Sequence, residues 1–269
     1  MNDLDDRSKF LRRLVVRGLA GGKRGHIGSS FSLIEILRIL FDNFLNYRPN
    51  DPKWEGRDRF ILSKGHGCLA LYSLLVDKGF IPIEELDKFC EQDGILGGHP
   101  EASKIPGVEA STGALGHGLP IALGMALAGK IRKAKQRIVV VMGDGEINEG
   151  SVWESALHAG KHKLDNLSIF IDYNKLQSYG PTEEVVDLEP LASKWSSFGF
   201  SVRDIDGHDI EMLKSNVNQI PFELGRPSAM ICHTVKGKGV PFAEGVAEWH
   251  HKSLLSSGDI EMLQKALEK

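Results

Sequence analysis

The sequence contains little cysteine, and its cysteines are not grouped in any short motif. Its three cysteines are Cys68, Cys90 and Cys232, and no two of them have the CxxC spacing. Cysteines scattered in this way indicate neither a disulfide framework nor a cysteine-based zinc site. We therefore expect reduced thiols and a cytoplasmic protein.

Strong charge of one sign and long apolar runs are also missing. The formal net charge of the 269 residues is −3 at pH 7, which indicates no basic surface for nucleic acid. No apolar run approaches the length of a membrane span, and the polar, acidic start is unlike a signal or transit peptide. We therefore expect that the partners include neither nucleic acid nor a membrane.

The chain length and the order of elements predict a single α/β domain over 1–269. Apolar, β-branched runs alternate with helical patterns, which predicts a mostly parallel twisted sheet of about five or six strands with helices on both faces. Ser32 is expected to cap one of the helices. Strands are predicted at 59–62, 137–142, 167–173, 201–205 and 228–233, helices at 8–22, 32–45, 67–79, 83–90, 118–134, 151–165 and 209–220, and a short helical tail at 255–269.

Two oxygen-bearing side chains follow two of the predicted strands. Asp144 lies in the run GDGEINEG directly after one strand, and Asn174 directly follows the next, with a helix between them. Ligands of open α/β sheets bind outside the carboxyl ends of parallel strands. A carboxylate and an amide oxygen there suit a hard cation that holds a diphosphate. Gly143 and Gly145 would let the backbone approach a phosphate, although a plain Gly-Asp-Gly turn has the same sequence.

Several histidines lie in glycine-flanked loops, where a backbone and a ligand can come close. They are His26, His66, His99 and His117. A lone histidine is usually structural, but a group of them suits a sugar substrate, because imidazoles bind hydroxyls and move protons near neutral pH. The loop STGALGHG at 111–118 precedes a helix, and its amides either bind an anion or form a flexible turn.

Several motifs resemble segments of transketolases and occur in the same order. They are HIGSSFSLIEILRILF, DRFILSKGHGCLALYSLL, GGHPE, STGALGHGLPIALGMALAGK, GDGEINEG with its following Asn, DGHD, KGKG and WHHKSL. This resemblance implies a thiamine diphosphate-binding fold, with thiamine diphosphate and Mg²⁺ as cofactors and Ca²⁺ or Mn²⁺ as alternative metals. It is limited to the diphosphate-binding domain of the family, so the chain looks like the N-terminal subunit of a split transketolase.

The resemblance also assigns roles to residues at matching positions. His26, His66, His99 and His250 would be catalytic, although the alignment of WHHKSL could shift from His250 to His251. The cofactor contacts would be His66, Gly113, Ala114, Leu115, Gly143, Asp144, Gly145, Glu149, Asn174 and Lys236, and the metal ligands would be Asp144, Asn174 and the carbonyl of Leu176.

Some of these residues have an equally plain interpretation. Glu149 could instead be an ordinary carboxylate at a helix N-terminus, and Lys236 an ordinary loop lysine. Gln177 and Ser178 follow the metal-ligand segment and could line the substrate channel. His117 stands where many relatives carry glutamine, and we do not expect it to be catalytic.

The activity implied by the resemblance is the transfer of a two-carbon ketol unit from a ketose phosphate to an aldose phosphate. In this family a glutamate of the second thiamine domain activates the cofactor, and no segment of this sequence resembles that domain. We therefore expect a separate C-terminal subunit to supply the glutamate in an α₂β₂ assembly. Three alternatives remain: an E1α-type subunit of a 2-oxo acid dehydrogenase, a transketolase for an unusual sugar, and a non-catalytic binding subunit.

Overall fold

The computed structural model describes residues 4–178 and 180–268. Residues 1–3 and 269, at the ends of the predicted domain, lie outside these ranges. Residue 269 is also the last residue of the predicted tail. No helix in the described ranges is both long enough and apolar enough to cross a membrane. The α-helices are α1 (Asp6–Gly22), α2 (Ile27–Ser32), α3 (Ile34–Ile39), α4 (Cys68–Asp77), α5 (Gly118–Ile131), α6 (Gly150–Lys161), α7 (Thr182–Val185), α8 (Leu191–Ser197), α9 (Ile210–Val217) and α10 (Ser257–Ala266).

The strands form one parallel sheet in the order β1-β2-β3-β5-β4. Side chains of β2 alternate between two apolar cores, with Val139 and Val141 in one core and Val140 and Met142 in the other. Helices therefore cover both faces of the sheet, as expected for strands that are apolar throughout. The strands are β1 (Arg59–Leu62), β2 (Ile138–Gly143), β3 (Leu167–Tyr173), β4 (Ser201–Asp206) and β5 (Ser228–His233). The predicted α/β class is confirmed, and each predicted strand is present with ends that differ by at most one residue.

The single helix predicted over 32–45 is wrong. The chain forms α2 and α3 with a break at Leu33, and a π-helix follows over Leu40–Phe44. Ser32 ends α2 instead of capping a new helix, because its hydroxyl donates a hydrogen bond of 2.6 Å to Asp172. The segment is largely apolar, and its polar residues Glu35, Arg38 and Asp42 have helical spacing throughout, so its periodicity does not specify where the helix changes. The helix predicted over 83–90 is a 3₁₀ helix at Ile83–Lys88.

The segment before α10 runs alongside the turn after α1. Gly25 and Lys252 exchange two backbone hydrogen bonds of 3.0 Å, and the N–H of Leu255 donates to the carbonyl of Lys23 at 2.7 Å. Leu263 of α10 packs in the apolar core, and a capping box of Ser256 and Asp259 begins this helix. This pairing carries the WHHKSL motif to the carboxyl edge of the sheet, the edge at which the parallel strands end.

Candidate active site

Asp144 and the predicted metal-ligand segment meet at the carboxyl edge, where β2 and β3 are neighbours. The carboxylate of Asp144 is buried, and its Oδ2 accepts a 2.6 Å hydrogen bond from the backbone N–H of Lys175. Lys175 lies between Asn174 and Leu176, so Asp144 is hydrogen-bonded to the segment that carries the other two predicted ligands. Burial and the neighbouring Asp172 raise the pKa of Asp144. A nearby cation would stabilise such a carboxylate.

The residues 174–176, which we name the ligand loop, also meet Lys236. The Oδ1 of Asn174 accepts a 3.2 Å hydrogen bond from the N–H of Leu176. The carbonyl of Leu176 accepts a 2.5 Å hydrogen bond from the Nζ of Lys236. Lys236 is 3% exposed, and burial together with Lys64 lowers its pKa to about 8. The interpretation of Lys236 as an ordinary exposed loop lysine is therefore wrong.

A buried ion pair that the sequence analysis missed lies beside the ligand loop. The Nζ of Lys64 is 2.5 Å from the Oδ2 of Asp172, and both side chains are almost completely buried. Asp172 also accepts hydrogen bonds from the hydroxyls of Ser32 and Thr234 and from the Nδ2 of Asn174, the last at 3.3 Å. Burial alone would raise the pKa of Asp172, but Lys64 holds it below its usual range. Asp172 thereby orients the amide of Asn174.

A second residue that the sequence analysis missed, Glu146, ties the GDGEINEG loop to the glycine-rich loop at 111–118. Its Oε1 accepts a 3.0 Å hydrogen bond from the N–H of Gly116 and another from the hydroxyl of Ser63, and its Oε2 accepts one of 3.2 Å from the N–H of Gly143. Burial raises the pKa of Glu146. The carboxylate thus holds both phosphate-binding candidates in one arrangement.

The glycine-rich loop packs tightly against its neighbours. Gly113 has φ +145°, and a Cβ there would lie 2.8 Å from the imidazole Cδ2 of His99. A Cβ on Gly65 would lie 2.8 Å from the backbone N of Gly113. Glu149, at the start of α6, is exposed and leaves no room for a side chain at Gly116. Only glycine fits the left-handed conformation and close backbone contact of this loop.

The remaining predicted contacts of this loop differ in exposure. Ala114 is exposed, whereas Leu115 is half-buried. The Nδ1 of the exposed His117 lies 3.0 Å from the carbonyl of Leu115. His117 therefore contacts a backbone carbonyl of its own loop.

Histidines from four separate segments form the histidine cluster, which consists of His26, His66, His99 and His250. The ring centroid of His26 is 5.3 Å from that of His66, 6.3 Å from that of His99 and 5.5 Å from that of His250. The centroids of His66 and His250 are 5.9 Å apart. The four histidines selected from the sequence therefore lie together.

His250 and His251 both reach this cluster, but in different environments. His250 is half-buried, and its Nε2 is 3.1 Å from the Oγ of Ser178. His251 is exposed, although its ring centroid is only 4.4 Å from that of His26. The more enclosed His250 is the better placed of the two for a bound ligand.

The histidine cluster is neutral near pH 7. Burial lowers the pKa of His26 to about 3 and that of His250 to about 4. Burial, followed by the charge of Lys64, lowers the pKa of His66 well below its usual value. A neutral imidazole has one donor and one acceptor nitrogen, so each ring can exchange hydrogen bonds with a hydroxyl group.

The site also contains buried polar atoms that lack partners. Among the described residues, Gln177 Nε2 and His250 Nδ1 are buried without a hydrogen bond. Groups of this kind are normally satisfied by a ligand or by water. Asp144, Asn174 and the Leu176 carbonyl supply one charged and two neutral oxygens, a donor set that suits Mg²⁺ shared with a diphosphate. These residues therefore fit a metal-bound diphosphate cofactor.

A parallel α/β sheet whose carboxyl edge carries oxygen donors for a metal-bound diphosphate, next to a cluster of neutral histidines, is the site of a cofactor-binding α/β protein. The family model "Transketolase, thiamine diphosphate binding domain" matches residues 5–268, and the chain belongs to this family. It is 43% identical to one subunit of the apulose-4-phosphate transketolase of Phocaeicola vulgatus, over 92% of this chain and 88% of that protein. It is 40% identical to 6-deoxy-6-sulfo-D-fructose transketolase subunit SqwG of a Clostridium species, over 94% of this chain and 92% of that protein.

Solved transketolases share the fold. A transketolase variant from Pichia stipitis superposes with a TM-score of 0.91 at 31% identity, over 97% of this chain and 40% of that one. Transketolase from Campylobacter jejuni superposes with a TM-score of 0.90 at 30% identity, over 98% of this chain and 42% of that one. The chain thus spans about two fifths of the length of these enzymes.

Proposed function

We propose that this chain is the thiamine diphosphate-binding subunit of a transketolase that transfers a two-carbon ketol unit from a ketose phosphate to an aldose phosphate. The observation that supports this most is the hydrogen bond between Asp144 and the backbone of Lys175 at 2.6 Å. It joins the carboxylate to the ligand loop, and Ser178, two residues after that loop, lies 3.1 Å from His250 of the histidine cluster. Family membership supports the same activity.

The cofactor would be held through a divalent cation, with Mg²⁺ as the physiological metal and Ca²⁺ or Mn²⁺ as substitutes. Asp144, Asn174 and the carbonyl of Leu176 would be the protein ligands, and the diphosphate would complete the oxygen shell. Lys236 would lie near the phosphates. When bound, thiamine diphosphate supplies the electron sink of the reaction, while the protein supplies orientation and proton transfer.

The glycine-rich loop and the loop after β2 would form the remaining cofactor contacts. Tight packing leaves backbone rather than side chains at these positions, so amide groups can approach the cofactor. Glu149 would contact the cofactor near the boundary with a second subunit. The other contacts would be His66, Gly113, Ala114, Leu115, Gly143 and Gly145.

The histidine cluster would bind the sugar. Because burial keeps His26 and His250 neutral, each can donate one hydrogen bond and accept another. That pattern suits vicinal hydroxyl groups, and a ring that accepts a proton at one nitrogen while it releases the proton of the other stays neutral overall. His66 and His99 would complete the set, and Gln177 and Ser178 would line the channel beside it.

A separate C-terminal subunit would supply the activating glutamate, and the assembly would be an α₂β₂ heterotetramer in the cytoplasm. Support comes from two relatives that are named as transketolase subunits and match this chain over 88% and 92% of their own lengths. Their names also mention apulose-4-phosphate and 6-deoxy-6-sulfo-D-fructose. This favours, as a second candidate, a transketolase for an unusual ketose over one for the common sugar phosphates.

Calorimetry and an activity assay would test the proposal together. Titration of the chain, alone and with its partner subunit, should give thiamine diphosphate binding that requires Mg²⁺ and is abolished by EDTA. Activity should appear only after the partner is added. The assay should compare xylulose 5-phosphate, apulose 4-phosphate and 6-deoxy-6-sulfofructose as ketol donors, with pyruvate as the test for a 2-oxo acid dehydrogenase. Robust ketol transfer by the chain alone would refute the split-subunit assignment.

A further inference from the structure

A second buried ionic network lies on α1, α3 and the turn after β4. Arg12 and Glu35 form two hydrogen bonds, of 2.6 Å from Nη1 to Oε1 and 2.9 Å from Nη2 to Oε2. The Nδ1 of His208, in the DGHD motif, lies 2.8 Å from the Oε2 of Glu35. Burial would raise the pKa of Glu35, but Arg12 and His208 hold it below its usual range. The network therefore contains a carboxylate that is fully compensated by its partners.

This network contacts the lysine loop, which consists of residues 235–239, on both sides of Lys236. The N–H of Val235 donates a 2.8 Å hydrogen bond to the Nε2 of His208. The Nε of Arg12 donates a 2.8 Å hydrogen bond to the carbonyl of Lys238. Two members of one hydrogen-bonded network thus hold the residues that flank Lys236.

These contacts also specify the tautomer of His208. The N–H of Val235 can only donate, so Nε2 must accept and carries no proton. Nδ1 then carries the proton and donates it to Glu35. The hydrogen bond to Val235 therefore depends on a neutral His208 whose orientation Glu35 maintains.

The side chain of Lys236 has little freedom between this anchored backbone and the ligand loop. The backbone carbonyl of Lys236 accepts a 2.8 Å hydrogen bond from the N–H of Gly245. The N–H of Gly237 donates a 3.0 Å hydrogen bond to the carbonyl of Gly28. A Cβ on Gly28 would lie 2.8 Å from the Cγ of Lys236. The side chain passes over this glycine before it reaches the carbonyl of Leu176. A shift of the loop backbone would therefore move the ammonium group.

We propose that Arg12, Glu35 and His208 are positioning residues that place Lys236 against the ligand loop and so set the affinity for the diphosphate cofactor. The expected effect on cofactor affinity rests on the proposed function, whereas the positioning of Lys236 by this network does not. The three residues act through the backbone of the lysine loop. Their distance in sequence from that loop explains why the motif DGHD gave no hint of such a role.

Two substitutions of His208 separate positioning from simple packing. His208→Asn keeps a donor near the position of Nδ1 but is too short to accept from Val235. His208→Gln can place its carbonyl oxygen near the position of Nε2 and accept that hydrogen bond. Hydrogen exchange at the amides of 235–239 and the Mg²⁺-dependent affinity for thiamine diphosphate are the readouts, measured with the partner subunit present.

We expect His208→Asn to speed exchange in the lysine loop by about tenfold or more and to weaken cofactor affinity by about tenfold, as for other residues that orient a binding group. His208→Gln should lose clearly less than His208→Asn in both readouts, because it keeps the acceptor for Val235 although it gives up the donor to Glu35. Arg12→Lys, which keeps the charge beside Glu35 but loses the Nε donor to Lys238, should behave like His208→Asn. His233→Asn is the matched control, since its ring contacts Asp204 instead of the lysine loop.

Equal losses in His208→Asn and His208→Gln would overturn the proposal, because both would then reflect packing alone. Unchanged loop exchange in His208→Asn and Arg12→Lys would overturn it as well. If the wild-type assembly does not bind thiamine diphosphate, the proposed function fails, yet the exchange data still decide whether the network holds the loop. Arg12→Lys preserves the buried charge, so it provides the same test should His208→Asn not fold.

Discussion

The two halves of the candidate site handle burial in opposite ways. The half at the carboxyl edge compensates its buried carboxylates, since Asp172 is paired with Lys64 at 2.5 Å and Asp144 accepts backbone hydrogen bonds. The histidine cluster instead stays neutral near pH 7, because burial lowers the pKa of His26 to about 3. Charged groups suit a cation and phosphates, whereas neutral rings suit hydroxyl groups.

The halves also differ in how the chain builds them. Asp144 and Asn174 follow neighbouring strands, so the register of the sheet brings them together. The histidine cluster is assembled from four loops, and the pairing of Gly25 with Lys252 brings its last member into place. Substitutions in the first half should therefore affect charge compensation and metal affinity, and those in the second should affect proton uptake and catalysis.

The largest effect is expected from Lys64→Met. It leaves Asp172 buried without a countercharge, which should lower the free energy of unfolding by about 3–5 kcal/mol. Chemical denaturation measures this change. Lys104→Met is the control, because its exposed ion pair with Glu101 should contribute less than about 1 kcal/mol. Equal stability losses in the two variants would mean that the buried pair is not compensated as described.

Asp144→Asn should have the next largest effect, on binding rather than on stability. The substitution removes the only carboxylate among the proposed metal ligands, so the affinity for thiamine diphosphate in Mg²⁺ should fall about 100-fold. The free energy of unfolding should change much less than the binding, because the substitution removes a buried charge but leaves one of the two backbone N–H donors of Gly145 and Lys175 without an acceptor. Calorimetry with Mg²⁺ measures the binding, and Glu261→Gln on α10 is the control. An unchanged affinity for thiamine diphosphate in Mg²⁺ would contradict the proposal that Asp144 binds the metal.

A comparison of His250→Asn with His251→Asn would sharpen the description of the histidine cluster. We expect the loss in kcat/KM of the assembled enzyme to be about tenfold greater for His250, because it is the more enclosed ring and would lose a hydrogen bond to the sugar. Steady-state kinetics with a fixed acceptor measures the ratio. A greater loss for His251 would transfer the proposed role to the neighbouring residue.

The smallest effect is a change in pH dependence. Between pH about 6.5 and about 3, unfolded His26 binds a proton that the folded ring does not bind. Unfolding then takes up protons, so the free energy of unfolding should decrease as the pH falls through this window. His26→Asn should flatten that slope by up to ~1.4 kcal/mol per pH unit. Denaturation at several pH values measures the slope, with His117→Asn as the control, and an unchanged slope would contradict a neutral, buried His26.

Much of the carboxyl edge could be predicted from the sequence. Parallel strands end at a common edge, so Asp144 and Asn174 follow from the order of the strands alone. The partners of Asp172 could not be predicted, because Lys64, Ser32 and Thr234 come from distant segments without a shared pattern. One signal was present: an aspartate inside the apolar run LSIFIDY requires a compensating charge once that strand is buried. The break after Ser32 had no such signal, since neither glycine nor proline marks it in the run FSLI.

Anomalous diffraction from crystals of the assembled enzyme with Mn²⁺ and thiamine diphosphate would test the central claim most directly. We expect one metal ion bound by Asp144, Asn174 and the carbonyl of Leu176, with diphosphate oxygens completing its shell and the histidine cluster next to the cofactor. A metal ion bound elsewhere, or a cofactor bound with neither Asp144 nor Asn174 near its phosphates, would contradict it.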